Sequence, residues 1–238
     1  MLATQRFSQL TINQYIKHTK VGVLPHPRTV KIMILNNLPK TLLLLCLIAC
    51  NRVGDGFTAE ELALINEADS IMRVLTIDNP ADSAVLRTPS TDLPAEALIS
   101  PDFERLADLM VATVTHPSQD GVGIAGPQVG IKRRVVAVQR YDKEPVECNG
   151  VVDHPFEVYP NVRIVWASDS LTAGPEGCLS VPNQRGVVMR SPEIVIEYAS
   201  MASADKVTLV KDTVKGFTAV IFQHEIDHLD GTLYIDRL

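Results

Sequence analysis

Phe222-Gln223-His224-Glu225-Ile226-Asp227-His228-Leu229 carries two histidines four residues apart with a glutamate beside the first. On a helix, residues four apart sit above one another on one face. Two imidazoles so placed reach one metal ion. The glutamate points about a quarter-turn aside, close to a metal-bound water without being a ligand. This is the HExxH arrangement of hydrolytic metalloenzymes. Phe217, Val220, Ile221, His224 and His228 fall at i, i+3, i+4, i+7 and i+11, which predicts one buried helical stripe. Gly231 stands where such a helix needs a stop. The plainer alternative is a surface helix that carries two histidines and some acids, so a third ligand must come from elsewhere.

The 238 residues suit one sizeable domain plus an appendage. A hydrophobic share of 46% is ordinary for a globular chain. A net charge of -6 gives no reason to expect nucleic-acid binding. Of the four cysteines, Cys46 and Cys50 lie in an apolar N-terminal run, leaving Cys148 and Cys178 for the folded part. Those two could form a disulfide. Alternatively one is a metal ligand, since a thiolate is the softest donor available beside two imidazoles.

Residues 1–32 show no periodicity. From Leu42 to Ala49 the chain is apolar, and eight such residues are too few to span a bilayer. With Lys40 before them they fit the h-region of a secretory signal, most compactly if Met33 is the true start. Leu47-Ile48-Ala49-Cys50 resembles a bacterial lipoprotein box, which implies a lipidated Cys50 anchored to a membrane. The alternatives are a buried core helix, opposed by Pro39 and Asn36-Asn37, and a disordered tail. The organisation expected is a leader over 1–50, a linker and helix over 51–71, and a catalytic domain over 72–238.

Thr58 and Glu61 have capping-box spacing, predicting a helix from there to about Ile71. Met72 to Ile77 reads as a strand, and Asp78 to Pro94 as irregular chain. Ser100-Pro101 opens a helix bearing Phe103, Leu106, Ala107, Met110 and Val114. Beyond Gly130, strands are expected over Val135–Arg140, Glu157–Tyr159, Val162–Ala167, Gly186–Met189, Ile194–Tyr198 and Val207–Lys211. Strands crowded between helices predict an α+β fold, mostly antiparallel sheets around the metal-binding helix.

Two further stretches stand out. Gly121-Val122-Gly123-Ile124-Ala125-Gly126-Pro127-Gln128 follows a helix and precedes a strand, the wrong order for a phosphate loop. It reads either as a turn needing positive φ or as a loop where backbone approaches a ligand, with Gln128 its polar tip. Glu176-Gly177-Cys178-Leu179-Ser180 supplies the candidate third ligand, Cys178, or simply a small buried cysteine in a turn.

Taken together and in this order, GVGIAGPQ, EGCLS and HEIDH resemble the motifs of peptide deformylase, from about Met72 onward. Gly126 stands where that family usually has alanine, a difference of one methyl. The resemblance implies a metal-dependent hydrolase of protein biosynthesis that removes the N-formyl group from formyl-methionyl chains and releases formate. It implies metal ligation by Cys178, His224 and His228, with Fe(II) favoured and Zn, Ni or Co accepted. Glu225 becomes the acid–base residue. Gln128 and the Leu179 N–H become oxyanion donors. An extended peptide is expected to pair with the Gly123 segment. Arg185 corresponds to a position that contacts or orders the substrate region. Val122, Phe217, Val220 and Ile221 are candidates for the methionine pocket, with ordinary core as the alternative for Val220 and Ile221. A monomer is expected.

Two rivals use the same residues. A zinc endopeptidase would need no cysteine ligand, and a lipidated formyl-peptide-binding module would have no need of Glu225. Location is in tension with activity. Formylated chains arise in the cytoplasm, whereas a lipoprotein is exported to where an iron–thiolate site risks oxidation. Either the anchor is retained at the inner membrane face or the protein works on exported formyl-peptides; the alternative is a cytoplasmic enzyme.

Overall fold

Val135, Val136, Ala137 and Val138 are apolar at successive positions, and all four are fully buried. A strand turns alternate side chains to opposite faces, so this run needs cover on both sides. The computed structural model supplies it. Residues 56–148, 151–203 and 206–238 are described. The leader, its apolar run, Met33 and Cys50 lie outside the described residues.

β1 (Gly123–Ala125), β2 (Val135–Gln139) and β5 (Phe156–Pro160) form an antiparallel sheet in the order β1-β2-β5. On one face lie α1 (Ala59–Glu67) and α4 (Pro101–Val114), whose Ile65, Leu106 and Met110 pack with Ile124, Val135 and Ala137. On the other lies α5 (Gly216–Leu229), whose Phe222, Ile226 and Leu229 pack with Val136 and Val138. Each such fully buried side chain contributes roughly 1.5–3 kcal/mol. β6 (Arg163–Ala167), β9 (Glu193–Ser203) and β10 (Lys206–Lys215) form a second antiparallel sheet that shares the α5 core through Ile194, Ile196 and Val214. β3 (Val146–Cys148) pairs β4 (Val151–Asp153), and β7 (Thr172–Cys178) pairs β8 (Val181–Arg190). The α+β expectation holds.

Local expectations hold unevenly. The capping box forms, with Thr58 Oγ1 accepting from Glu61 N and Glu61 Oε2 accepting from Thr58 N. The helix nevertheless ends at Glu67 rather than Ile71, because Ala68 is extended and Arg105 donates to the Ile65 and Ala68 carbonyls. Met72–Ile77 is no strand. It is a strap whose N–H groups reach Thr113 Oγ1, the Gln128 carbonyl and the Ser180 carbonyl from Met72, Leu75 and Ile77. The stretch read as irregular contains α2 (Pro80–Leu86), capped by Asn79 with proline at its first position, and the short α3 (Ala95–Leu98) follows. Ser100 caps α4 as its spacing predicts. The hairpin strand expected at Gly186–Met189 spans Val181–Arg190.

Candidate active site

α5 delivers three of the predicted residues. It begins after Lys215 and stops at Asp230, where Gly231 takes φ 72° and the Gly231 N–H returns to the His228 carbonyl. The stripe is buried from Ile221 to His228 but opens at its start, where Phe217 is 55% exposed and Val220 half-buried. His228 lies in the interior, and His224 is nearly so. The β7–β8 hairpin brings Cys178 to them. Its Sγ lies 3.2 Å from His228 Nε2, and the ligand atoms of Cys178, His224 and His228 all fall within 4.8 Å of one another. Cys178 is a free thiol, so the disulfide alternative fails for it.

A buried ionic chain holds the first histidine. His224 Nδ1 donates to Glu176 Oε2 at 2.8 Å, leaving Nε2 free for a ligand role. Arg190 clasps Glu176 at 2.8 and 3.0 Å and reaches Asp227 Oδ2 at 2.6 Å; Arg237 closes the chain on Asp227. The Tyr234 ring stacks on His224 at 6.0 Å. Burial alone would raise the Glu176 pKa, but the hydrogen bonds from His224 and Arg190 outweigh it and hold the carboxyl down at about 2. Burial would lower His224, yet hydrogen bonds to Cys178 and Glu176 push it up to about 10. The site therefore favours positive charge at His224. One soft sulfur, two imidazoles and this bias suit a divalent cation.

Gln128 is not a polar tip, since it is 2% exposed. Pro127 is the second residue of a tight 3-10 turn over Gly126–Val129 in which the Gln128 side chain is buried. Its Oε1 accepts from Ala125 N at 2.8 Å, and its Nε2 faces Ser180 Oγ at 3.2 Å and Cys178 Sγ at 3.5 Å. Gly123 covers the catalytic glutamate candidate. A Cβ there would lie 2.5 Å from Glu225 Oε1 and 2.8 Å from Ile221 Cγ2, so only glycine lets β1 pass so close. Burial pushes the Glu225 carboxyl up, to about 7, and its Oε2 has no hydrogen-bond partner among the described residues.

The structure thus gathers Cys178, His224, His228, Glu225, Gln128 and Gly123. Leu179 is half-buried beside Gly121, and Val122 packs partly against the α5 core. Arg185 is exposed on β8 and lies over Gly177. Phe217 stands apart at the open end of the helix.

The sequence profile of polypeptide deformylase matches residues 71–238. The chain belongs to the polypeptide deformylase family. Similar peptide deformylases occur in Leptospira biflexa, 33% identical over 71% of this chain and 88% of that one, and in a Caulobacter species, 35% identical over the same shares. Among solved structures, the Met-Ala-Ser-bound class I type b peptide deformylase of Acinetobacter baumannii is 32% identical with a TM-score of 0.58, covering 71% of this chain and 98% of that one. The Thermotoga maritima enzyme is 27% identical with a TM-score of 0.58, covering 71% and 99%. This deformylase is a metal-dependent hydrolase that removes the N-formyl group from the formyl-methionine that starts new chains. A non-enzymatic peptide-binding role and an endopeptidase are disfavoured.

Sequence reasoning passed over the supporting residues of the deformylase site. Glu176 and Asp227 lie inside the EGCLS and HEIDH motifs with no role that spacing assigns, and Arg190 lies outside all three motifs. Its signal was a lone charge closing the apolar run Val187-Val188-Met189.

Proposed function

We propose that Cys178, His224 and His228 hold one divalent ion, Fe(II) by preference, and that Glu225 moves the proton in formyl hydrolysis. The observation that carries this reading is a buried carboxyl with one unpartnered oxygen beside three clustered soft and imidazole donors. A divalent ion held there supplies a Lewis acid and makes a water it binds more acidic. Glu225 accepts the proton of the attacking water and hands it to the departing amine. A pKa near 7 suits a group that must do both. The Gln128 Nε2–H and the Leu179 N–H donate to the oxygen that gains charge, and each such donor is worth ~3 kcal/mol of barrier. The formyl carbon bears only hydrogen, so close walls favour it over bulkier acyl groups.

The peptide lies extended along the open edge of β1 at Gly123, a strand addition. The relative solved with Met-Ala-Ser bound supports a short peptide as the ligand. Val122, Val220 and Ile221 line the methionine side, Phe217 its rim, and Arg185 steadies the substrate region from β8. The chain acts as a monomer, with residues 1–50 as leader, 51–71 as linker and helix, and 72–238 as the catalytic domain. Lipidation of Cys50 tethers it to a membrane, and a cytoplasmic enzyme is the alternative. Among the described residues no helix is long and apolar enough to cross a bilayer.

The test is formate release from formyl-Met-Ala-Ser by the full chain loaded anaerobically with Fe(II), beside Glu225→Gln. Release is expected from the wild type, with a loss of at least about a hundredfold in the variant at equal metal content. Equal release from both would sink the role given to Glu225.

A further inference from the structure

The Met72–Ile77 strap joins no sheet, yet it bonds both loops to which the oxyanion donors are assigned. Leu75 N donates to the Gln128 carbonyl at 2.7 Å, and Ile77 N donates to the Ser180 carbonyl at 2.9 Å. N–H groups two residues apart face the same side of an extended chain, about 7 Å from one another. Gln128 Nε2 in turn meets Ser180 Oγ at 3.2 Å. Three segments thus close a ring, from the strap to Gln128, from Gln128 to Ser180, and from Ser180 back to the strap. Gln128 carries one of the assigned donors, and Ser180 follows Leu179, which carries the other. The strap therefore spaces the two.

One carboxylate grips the strap from its other side. Asp82 lies in the first turn of α2 and is 6% exposed. Its two oxygens accept from Arg73 Nη1 and Nη2 at 2.7 and 2.8 Å, the forked geometry of the stronger ion pairs. Its Oδ2 also accepts from Thr76 N at 3.4 Å. Thr76 stands between Leu75 and Ile77, so its N–H points away from the ring, as strand-like alternation requires. Asp82 thus holds the strap on both sides of Val74-Leu75. Its own place is fixed by Asn79, whose Oδ1 accepts from Ala81 N and Asp82 N. Packing alone holds the far end of the strap less firmly, since Leu75 is buried but Thr76 and Ile77 are only half-buried.

We propose that Asp82 is a positioning residue for deformylation, acting through the strap on the Gln128 amide and the Leu179 N–H. Oxyanion donors act where charge develops in the transition state, and a displacement of about 1 Å at such a site costs as much as about a hundredfold in rate. Without Asp82 the Thr76 N–H and the Arg73 guanidinium lose their anchor. The strap slackens, and the two donors lose their common spacing. The bound peptide makes no use of those donors before the reaction begins, so the loss falls on kcat and leaves KM alone. The inference rests on the roles given above to Gln128 and Leu179.

The experiment measures kcat and KM on formyl-Met-Ala-Ser for Asp82→Ala, Gln128→Ala and the double variant, in the full chain at equal metal content. Asp82→Ala is expected to lower kcat about tenfold with KM within about twofold of the wild type. In the Gln128→Ala background the same substitution should cost about threefold or less, because one of the two donors it places is already gone. Arg73→Ala should give part of the same kcat loss, at a side chain 68% exposed and clear of both α2 and the active site. It carries the test if Asp82→Ala does not fold. Amide exchange in the metal-free protein gives a readout independent of turnover. Leu75 and Ile77 should exchange about tenfold faster in Asp82→Ala, with the α5 amides as in the wild type. A wild-type kcat in Asp82→Ala, or the full tenfold loss repeated beside Gln128→Ala, would overturn the positioning role and leave the reaction standing. A wild-type kcat in Gln128→Ala would overturn the donor reading itself, and the role of Asp82 with it.

Discussion

Replacing Gly126 by alanine, the residue the family motif usually carries, should destabilise this deformylase. The sequence makes the change look like the return of one methyl. The structure gives that methyl nowhere to go. A Cβ at Gly126 would lie 2.7 Å from the Ile131 carbonyl oxygen, 2.8 Å from the Arg133 carbonyl oxygen and 3.1 Å from Val135 Cγ1. Two of the three are backbone atoms in a turn closed by the Ile131 N–H on the Gly126 carbonyl, so neither can swing aside. Overpacking of this kind costs about 1–3 kcal/mol. Lower unfolded-state entropy returns roughly 0.4–1 kcal/mol to the alanine variant. The overpacking term wins, leaving a net loss of about 1–2 kcal/mol. For a domain of this size that lowers Tm by roughly 2–8 °C. The assay is thermal unfolding of chelator-treated protein, so that metal binding does not shift the midpoint. Gly174→Ala is the control, since a Cβ there meets nothing within 4 Å. Because the same turn aims Gln128, kcat should fall alongside Tm. A Tm for Gly126→Ala that equals or exceeds the wild type would refute the packing argument.

Two further outcomes follow from the buried charges. Glu176→Gln leaves Arg190 with only Asp227, and breaking a buried pair costs about 3–5 kcal/mol; metal affinity should fall about 10–100-fold as His224 loses its partner. Glu176 has a folded pKa of about 2 against 4.5, so its stabilisation is complete above pH 4.5 and is lost as pH falls toward 2. Acid titration of the variant should therefore be flatter in that window, and an unchanged profile would count against the network. His224 in the metal-free chain is held up to about 10 from 6.5. Its contribution is full below pH 6.5 and is lost as pH rises through about 10. Zinc uptake at pH 7 should accordingly release protons, seen as a binding heat that depends on the ionisation heat of the buffer; a buffer-independent heat would contradict this.

What was legible in the sequence was whatever local chemistry alone decides. Ser100-Pro101 announced α4, Thr58 with Glu61 announced α1, and Gly231 announced the end of α5. The cluster of Cys178, His224 and His228 is legible because two of its members share a helix face and the third lies in a recognisable loop. Met72–Ile77 misled because an apolar run carries no mark of whether its N–H groups will meet a strand or, as here, a threonine and two loop carbonyls. α2 is obscured by its proline and by Asp82 and Ser83, although Asn79-Pro80 is itself a start signal. Gln128 reads as a polar tip because it is polar and follows Gly126-Pro127. Its burial depends on acceptors and donors fifty residues away at Cys178 and Ser180. Arg190 was illegible for the same reason, since both of its partners lie on other elements.

The Gln128 amide has one end that accepts and one that donates, and turning it over would present an acceptor where the proposed mechanism needs a donor. Its orientation is set by the Ala125 N–H, which holds Oε1 and so commits Nε2 to the Cys178 side. That latch belongs to the main chain. Every residue type but proline carries that N–H. The orientation of the donor thus rests on a main-chain group, while the size of the fully buried residue that carries it is fixed by the core around it.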